Sequence, residues 1–334
     1  MENPAASNAD RAHAHPFAAY VRILARGPGL SRPLTREEAR DAMRLILAGE
    51  VEPEQLGAFL VLMRYRGESA EELAGLVEAA RDTIRIPANA PPVDLDWPSY
   101  ADRHKQLPWF LLAALLLAEN GVTVLMHGIA GESEGFVPTR SVLAKLGIPV
   151  SPTSEAAASR LGTAGFAYVG LETLSPRLDE LIALRPLLGL RSPVHSLARE
   201  LNPLRAPCQI QGVFHPNYRP LHQQAAALLG QPQAAIFKGG GGEAQRNPDK
   251  PCIVARVDND GTIEEEWPAL SDGQGFRPRE EPLDPDRVAA LWQGRTDDLP
   301  GPVAAITGTL AIALKMLGRA GTIDEAQALP ERMW

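Results

Sequence analysis

A chain of 334 residues is longer than one compact core usually grows, so two domains are expected, and 45% hydrophobic with 22% charged residues is the composition of an ordinary globular protein. The formal net charge of −8 excludes a uniformly basic nucleic-acid binder, although a local basic stripe still captures phosphates once salt screens charges beyond about 8 to 10 Å. With its longest apolar run at 109–118, a polar N-terminus and two cysteines, Cys208 and Cys252, the chain is expected to be a reduced cytoplasmic protein without membrane contact or a disulfide framework.

Residues 1–16 are polar and predicted to lack regular structure, and a first helix runs from Phe17 to Leu24. Thr35 with Glu38 three residues later is a capping-box pattern. The helix behind it carries Ala39, Met43, Ile46 and Leu47 at amphipathic spacing and stops at Gly49. Further helices are predicted from Gln55 to Arg66 and from Ala70 to Ile84, giving a helical unit with apolar faces to spare for a second copy. Leu24, Phe59 and Met63 serve such a pairing surface or the core equally well.

The proline-rich stretch 87–98 reads as a linker and marks the domain boundary. An apolar helix at 108–120 precedes the stretch around which the larger domain is organised. Val122 to Met126 is a strand apolar apart from Thr123, as expected when both faces are covered. His127 and Gly128 stand where it emerges, followed by Glu132 and Ser133. Ligands of open α/β sheets bind beyond the carboxyl ends of the strands, so His127, Glu132 and Ser133 are candidates by topology. A helix at 139–146, a strand at 166–170 and helical character over 176–201 follow. Strands are predicted at 209–214, 234–238 and 252–257, and helices at 221–229, 286–292 and 303–317. The sequence Asp258-Asn-Asp-Gly261, before 262–267, is a hairpin turn signal.

Leu56-Gly-Ala-Phe-Leu60, Arg66-Gly67-Glu68-Ser69, His127-Gly128, the RPLLGLR run from Arg185 to Arg191, Asn202-Pro203 and Gly212-Val213 carry a resemblance to the anthranilate phosphoribosyltransferase family, which shares its fold with class II nucleoside phosphorylases. The resemblance implies the α/β class: a small all-helical N-terminal domain, 1–90, completed by about 174–204, and a larger α/β domain, 91–173 and 205–334, with a central mostly parallel sheet flanked by helices.

The resemblance departs from the working enzymes at their phosphate site. Where the family has a Gly-Thr-Gly-Gly-Asp loop, this chain reads Asp96-Trp97-Pro98-Ser99-Tyr100-Ala101-Asp102, without glycine and with a proline that removes a donor. After His127-Gly128 the family continues with Asn and a serine pair, here replaced by 129–132. Of the acidic pair that holds magnesium only Glu243 remains, a weak metal candidate.

Around Arg103-His104-Lys105, in 191–198 and in 242–248, the chain is similar to the divergent YbiB-type branch, known as homodimeric nucleic-acid-binding proteins. That likeness implies a non-sequence-specific nucleic-acid-binding homodimer, for DNA with RNA left open, paired through the helical domain and needing no cofactor. Its implied anion contacts are Arg103, His104, Lys105, His127, Gly128, Lys238, Gly240 and Arg246. The alternative is a magnesium-dependent transferase passing a pentosyl group from phosphoribosyl pyrophosphate to an aromatic acceptor, with Arg185 and Arg191 toward the acceptor. Catalytic residues are not assigned.

Blander readings stand beside these. Arg103 to Lys105 also reads as a solvated helix start, Arg185 as an ion-pair partner of Asp179 or Glu180, and Arg191 as a main-chain ligand. Trp97 and Tyr100 pack or stack on bases with equal ease. His195, His215 and His222 lack metal-ligand spacing and read as satisfied surface or helix histidines.

Overall fold

The computed structural model describes residues 15–27, 29–101, 105–131, 134–258, 260–271, 275–296 and 299–333. Helices α1 (Ala18–Ala25), α2 (Arg36–Ala48), α3 (Pro53–Arg66) and α4 (Ala70–Thr83) form a bundle. Capping boxes start α2 and α4: Thr35 Oγ1 accepts from the Glu38 N–H while the Glu38 carboxylate accepts from the Thr35 N–H, and Ser69 pairs with Glu72 in the same way. Glu72 also accepts from the buried Leu34 N–H at 2.8 Å, tying the two helix starts together. Thr35→Ala is expected to cost about 1 kcal/mol, read as a lower urea midpoint at unchanged slope.

The apolar faces of the bundle meet around Phe17, Met43, Ile46, Phe59 and Val77, joined by Leu178, Leu181, Val194 and Leu197 from later helices. Leu24, Phe59 and Met63 belong to this core, at most 2% exposed, and so present nothing to a second copy.

The α/β part starts with β1 (Leu95–Ser99), α5 (Phe110–Glu119), β2 (Val124–Gly128), α6 (Thr139–Lys145), β3 (Val150–Ser151), α7 (Ser154–Ala164) and β4 (Phe166–Gly170). The chain then returns to the bundle through α8 (Leu171–Leu174), α9 (Pro176–Ala183), α10 (Arg185–Leu188) and α11 (Val194–Arg199), where α11 packs against α4. It finishes with β5 (Cys208–Val213), α12 (Arg219–Leu228), β6 (Gln233–Lys238), β7 (Cys252–Asp258), β8 (Gly261–Trp267), α13 (Pro285–Trp292), α14 (Pro300–Met316) and α15 (Ile323–Ala328).

These strands make one sheet in the order β3-β4-β2-β1-β5-β6-β7-β8, parallel through β6 and antiparallel across β7 and β8. Asp258 pairs with Gly261 at the expected hairpin turn. Among the described residues no helix is long and apolar enough to cross a membrane.

Two expectations need correction. The stretch 87–98 is not linker to its end, because Leu95 to Ser99 form the fully buried strand β1 in the middle of the sheet. Pro98 is tolerated there because pairing with β5 stops at Asp96, leaving the ring where β1 has a neighbour on one side only. Strand β2 also runs further than predicted, taking His127 and Gly128 into its ladder.

Strand alternation sorts the sheet into two faces. Leu95, Trp97, Met126, Ile210 and Phe237 share a core with α5 and α14, helices apolar nearly all round. Asp96, His127, Gln209 and Gln211 fall on the opposite face, toward α11. Four polar residues on one buried face are costly unless paired, and they are paired.

Candidate functional site

The pairing is a continuous network across three strands. The Asp96 carboxylate lies 3.1 Å from His127 Nε2, which puts the ring proton on that nitrogen. His127 Nδ1 is then left to accept from the Tyr100 hydroxyl at 2.7 Å, and burial raises the Tyr100 pKa well above the ordinary value, so the hydroxyl keeps its hydrogen. Asp96 also accepts from Gln209 Nε2 at 2.8 Å, and Gln211 Nε2 donates to Gln209 at 2.7 Å and to Glu200 at 2.9 Å. Glu200 accepts in turn from His222 Nδ1 at 2.6 Å. The chain of bonds thus links the end of β1 to α12.

At the far end of this network lies a cavity of about 340 Å³ between the bundle and the carboxyl end of β5. Four arginines line it, Arg64 from α3, Arg185 from α10, Arg191 and Arg199, together with His195, His215 and His222. Among the described residues no carboxylate lines it; Glu68 and Glu200 stand behind the wall, bonded to Ser196 and His222. Several lining groups are held in place. Arg64 bonds the Tyr218 hydroxyl, and Arg199 donates to the His195 carbonyl at 2.6 Å. The Ser192 hydroxyl, buried in the wall, has no protein partner among the described residues.

A wider groove of about 980 Å³ adjoins this recess, sharing Phe214, His215 and Gly241 with it. Arg219, Lys238, Lys250, Arg277 and Arg279 line the groove against two acids, Asp249 and Glu280. Asp249 is engaged by the Phe276 N–H at 2.9 Å and Glu280 by Arg277 at 3.7 Å, so cations dominate the exposed wall. A cleft of one sign focuses its field even on a chain whose net charge is opposite.

The predicted site residues separate into three groups. Lys238 and Gly240 line the groove, and Arg185 and Arg191 line the recess. Lys105 is exposed next to Gln106 of the groove wall, its ammonium 5.5 Å from the Phe136 ring centre. Arg103, His104, Glu132 and Ser133 lie outside the described residues. Glu180, one of the two suggested partners of Arg185, is bonded to Arg177 at 2.7 Å.

His127, Gly128 and Arg246 are corrections. His127 is fully buried and has both ring nitrogens engaged, so it braces the sheet and does not reach an anion. At Gly128 an added Cβ would stand 2.0 Å from the Ser99 carbonyl oxygen and 2.6 Å from the Tyr168 hydroxyl, so the glycine is there for close packing of β2. Arg246 is fully buried, 5.4 Å from the Trp267 ring centre, with its main-chain N–H on Thr309 at 2.9 Å. Trp97 and Tyr100 are likewise packed inside and stack on nothing that comes from solvent. Phe214, Arg64, Arg199 and Ser192 escaped the sequence reading.

Glu243 is the residue to test against a magnesium ion. Its carboxylate is buried, accepts from the Ala101 N–H at 2.7 Å, and burial raises its pKa to about 7. Gly212 sits so close that a Cβ would meet the Glu243 main chain at 2.0 Å, which fixes the residue where it is. A protonatable acid turned inward is a poor ligand for a hard cation that wants several oxygens. Among the described residues no cluster of three His, Cys, Asp or Glu side chains stands ready to hold a metal. Among the described residues, Glu243 and its surroundings do not fit the ion.

A proton held on folding makes stability depend on pH. With its folded pKa raised, Glu243 supports the fold at low pH and loses that support as pH rises through about 7. Glu243→Gln keeps an acceptor for Ala101 without titrating. Its urea midpoint is expected to overtake that of the wild type above pH 7, by on the order of 3 kcal/mol at most.

A family model described as the glycosyl transferase family helical bundle domain matches residues 19–84, and one for the α/β domain matches 109–275. The anthranilate phosphoribosyltransferase of Methylobacterium nodulans is 30% identical over 321 residues, 93% of this chain and 92% of its own length. The YbiB protein of Escherichia coli (strain K12) is 27% identical over 249 residues, 73% of this chain and 77% of its own. In structure, the anthranilate phosphoribosyltransferase of Thermus thermophilus superposes with a TM-score of 0.76 at 21% identity, covering 96% of this chain and 94% of that one. The enzyme of Saccharomyces cerevisiae, solved in complex with PRPP and Mg, gives 0.72 at 18% identity, covering 98% and 94%. Both superpositions show a shared fold. The two domain models and the near full-length relatives establish that this chain belongs to glycosyl transferase family 3, the family of the anthranilate phosphoribosyltransferases.

Proposed function

We propose that this member of the family binds nucleic acid without sequence preference, through the recess and groove, and that its phosphate chemistry has moved from a main-chain cradle to cationic side chains. The observation that carries this reading is the recess lined by four arginines and no carboxylate among the described residues, opening into a groove of five further cations. Such side chains contact phosphates without reading bases.

The segment that stands where the family has its pyrophosphate loop supports the change. A cradle needs small residues and main-chain N–H groups turned to the ligand. Here Trp97 and Tyr100 fill the core, Pro98 has no N–H, and the Ala101 N–H is given to Glu243. Pairing through the helical domain belongs to the same reading, with Val61 and Tyr65, exposed one turn apart on α3, as the apolar surface. Tyr65→Glu is then expected to yield monomers in sedimentation equilibrium.

The test is an anisotropy titration of labelled single- and double-stranded DNA across a salt series in EDTA. Binding is expected without metal, with log K falling by roughly 0.7 to 0.9 per phosphate contacted for each unit of log salt. Absence of binding, or affinity indifferent to salt, contradicts the proposal. The second reading, a working transferase, draws on Arg185 lining the recess, where the family resemblance puts an aromatic acid.

A further inference from the structure

We infer that the recess takes one nucleotide carrying a phosphate monoester, presented by the end of a single strand, with its base laid on Phe214. The inference rests on the nucleic-acid reading and narrows it.

The two chambers differ in what they admit. The groove is wide, and its cations Lys238, Lys250, Arg277 and Arg279 are exposed to anything that tracks along it. The recess is about one third of its volume, and its inner wall is buried: Ser192, His195 and Arg199 are each under 9% exposed. A volume of about 340 Å³ lies at the small end of the 300 to 1,000 Å³ typical of small-ligand sites. A duplex is stiff over roughly 150 base pairs and carries its phosphates on its outside, so it cannot push one into a recess, whereas an unstacked strand turns a nucleotide aside readily.

The phosphate's free oxygens decide which nucleotide. An internal diester brings one negative charge, while a phosphate monoester brings about 1.5 to 2 at neutral pH and three acceptor oxygens. Four arginines line one small chamber, and guanidinium forks bond phosphate oxygens in pairs, which suits the three terminal oxygens of a monoester better than the two free oxygens of a diester. The buried Ser192 hydroxyl, lacking a protein partner among the described residues, supplies a further donor in the same wall.

Phe214 stands where the chambers meet and is 53% exposed, an aromatic ring in a wall of cations. Its edge contact with His215, ring centres 4.7 Å apart at 84°, leaves it braced rather than packed away. Base stacking on an exposed ring tolerates every base, in keeping with an end-binding site that reads no sequence.

The experiment is a competition in EDTA among one single-stranded oligonucleotide with a 5′-phosphate, a 3′-phosphate or hydroxyl ends, its blunt duplex, the matching nucleoside monophosphate and inorganic phosphate. A phosphorylated end is expected to bind about tenfold or more tighter than hydroxyl ends, the scale of one added stacked and charge-paired group. Ser192→Ala and Phe214→Leu are expected to shrink that ratio toward one. A monophosphate competing as well as the phosphorylated strand identifies a free nucleotide as the source of the same chemistry; a stronger strand identifies the strand end. Equal binding of phosphorylated and hydroxyl-ended strands overturns the inference and leaves the groove reading standing. Failure of every oligonucleotide to bind overturns both.

Discussion

Reversing Arg185 and Arg191 together to glutamate is expected to lower affinity for nucleic acid by about two orders of magnitude and to reduce the salt slope by about 2. Both side chains line the recess, and reversal there turns a chamber of four arginines into one of two arginines and two carboxylates. Both residues are half-buried and lie outside the apolar cores, so the folded state of the variant is checked alongside its binding. Anisotropy at several salt concentrations reads the effect, and circular dichroism confirms the fold. Lys238→Glu, in the wider groove, should weaken all sequences alike with a slope change of about 1. Were the double reversal to leave both affinity and slope unaltered, the recess would have no part in binding.

Asp96→Ala is expected to destabilise the protein by about 3 kcal/mol or more, because removing one partner of a buried pair strands the rest. His127 and Gln209 both spend hydrogen bonds on Asp96, and each is at most 1% exposed with no water to turn to. The loss should spread to Tyr100, whose hydroxyl relies on the His127 tautomer that Asp96 fixes. Urea denaturation measures it. A fall of less than about 1 kcal/mol would mean the network is worth no more than an ordinary surface hydrogen bond.

The helical bundle was legible because its signals are local. Capping boxes at Thr35 and Ser69 and apolar periodicity over 36–48 operate within one or two turns. Strands β2, β4, β5, β6 and the β7–β8 hairpin were legible as apolar runs bounded by turns. Strand β1 was not, since Asp96 and Pro98 break its apolar pattern and are tolerated only because of neighbours that the stretch itself does not reveal. Helix α7, SEAAASRLGTA, has one large apolar residue and so no face to detect, and β3 is two residues long.

At the site, the resemblance led to Arg185, Arg191, Lys238 and Gly240, which the fold gathers into one cleft. It misled at His127, a polar side chain beside a glycine, and at Arg246, a cation in the 242–248 stretch that is similar to the nucleic-acid-binding branch. Arg246 is covered by Trp267 and Thr309, 21 and 63 positions away, and no local pattern announces that. Arg64 was missed for the mirror-image reason: its partner Tyr218 is 154 residues distant, and on α3 it reads as one more solvated arginine. Burial and exposure of charge are decided by tertiary neighbours, which is where sequence reasoning runs out.

The central claim is that phosphate recognition has passed from a magnesium-assisted main-chain cradle to cationic side chains. Calorimetric titration of one preparation with phosphoribosyl pyrophosphate plus magnesium, and with a single-stranded oligonucleotide in EDTA, tests it most directly. Salt-sensitive heat from the oligonucleotide, with no magnesium-dependent signal from the diphosphate, is the result predicted here. Tight magnesium-dependent diphosphate binding with no response to the oligonucleotide would contradict it and restore the transferase reading.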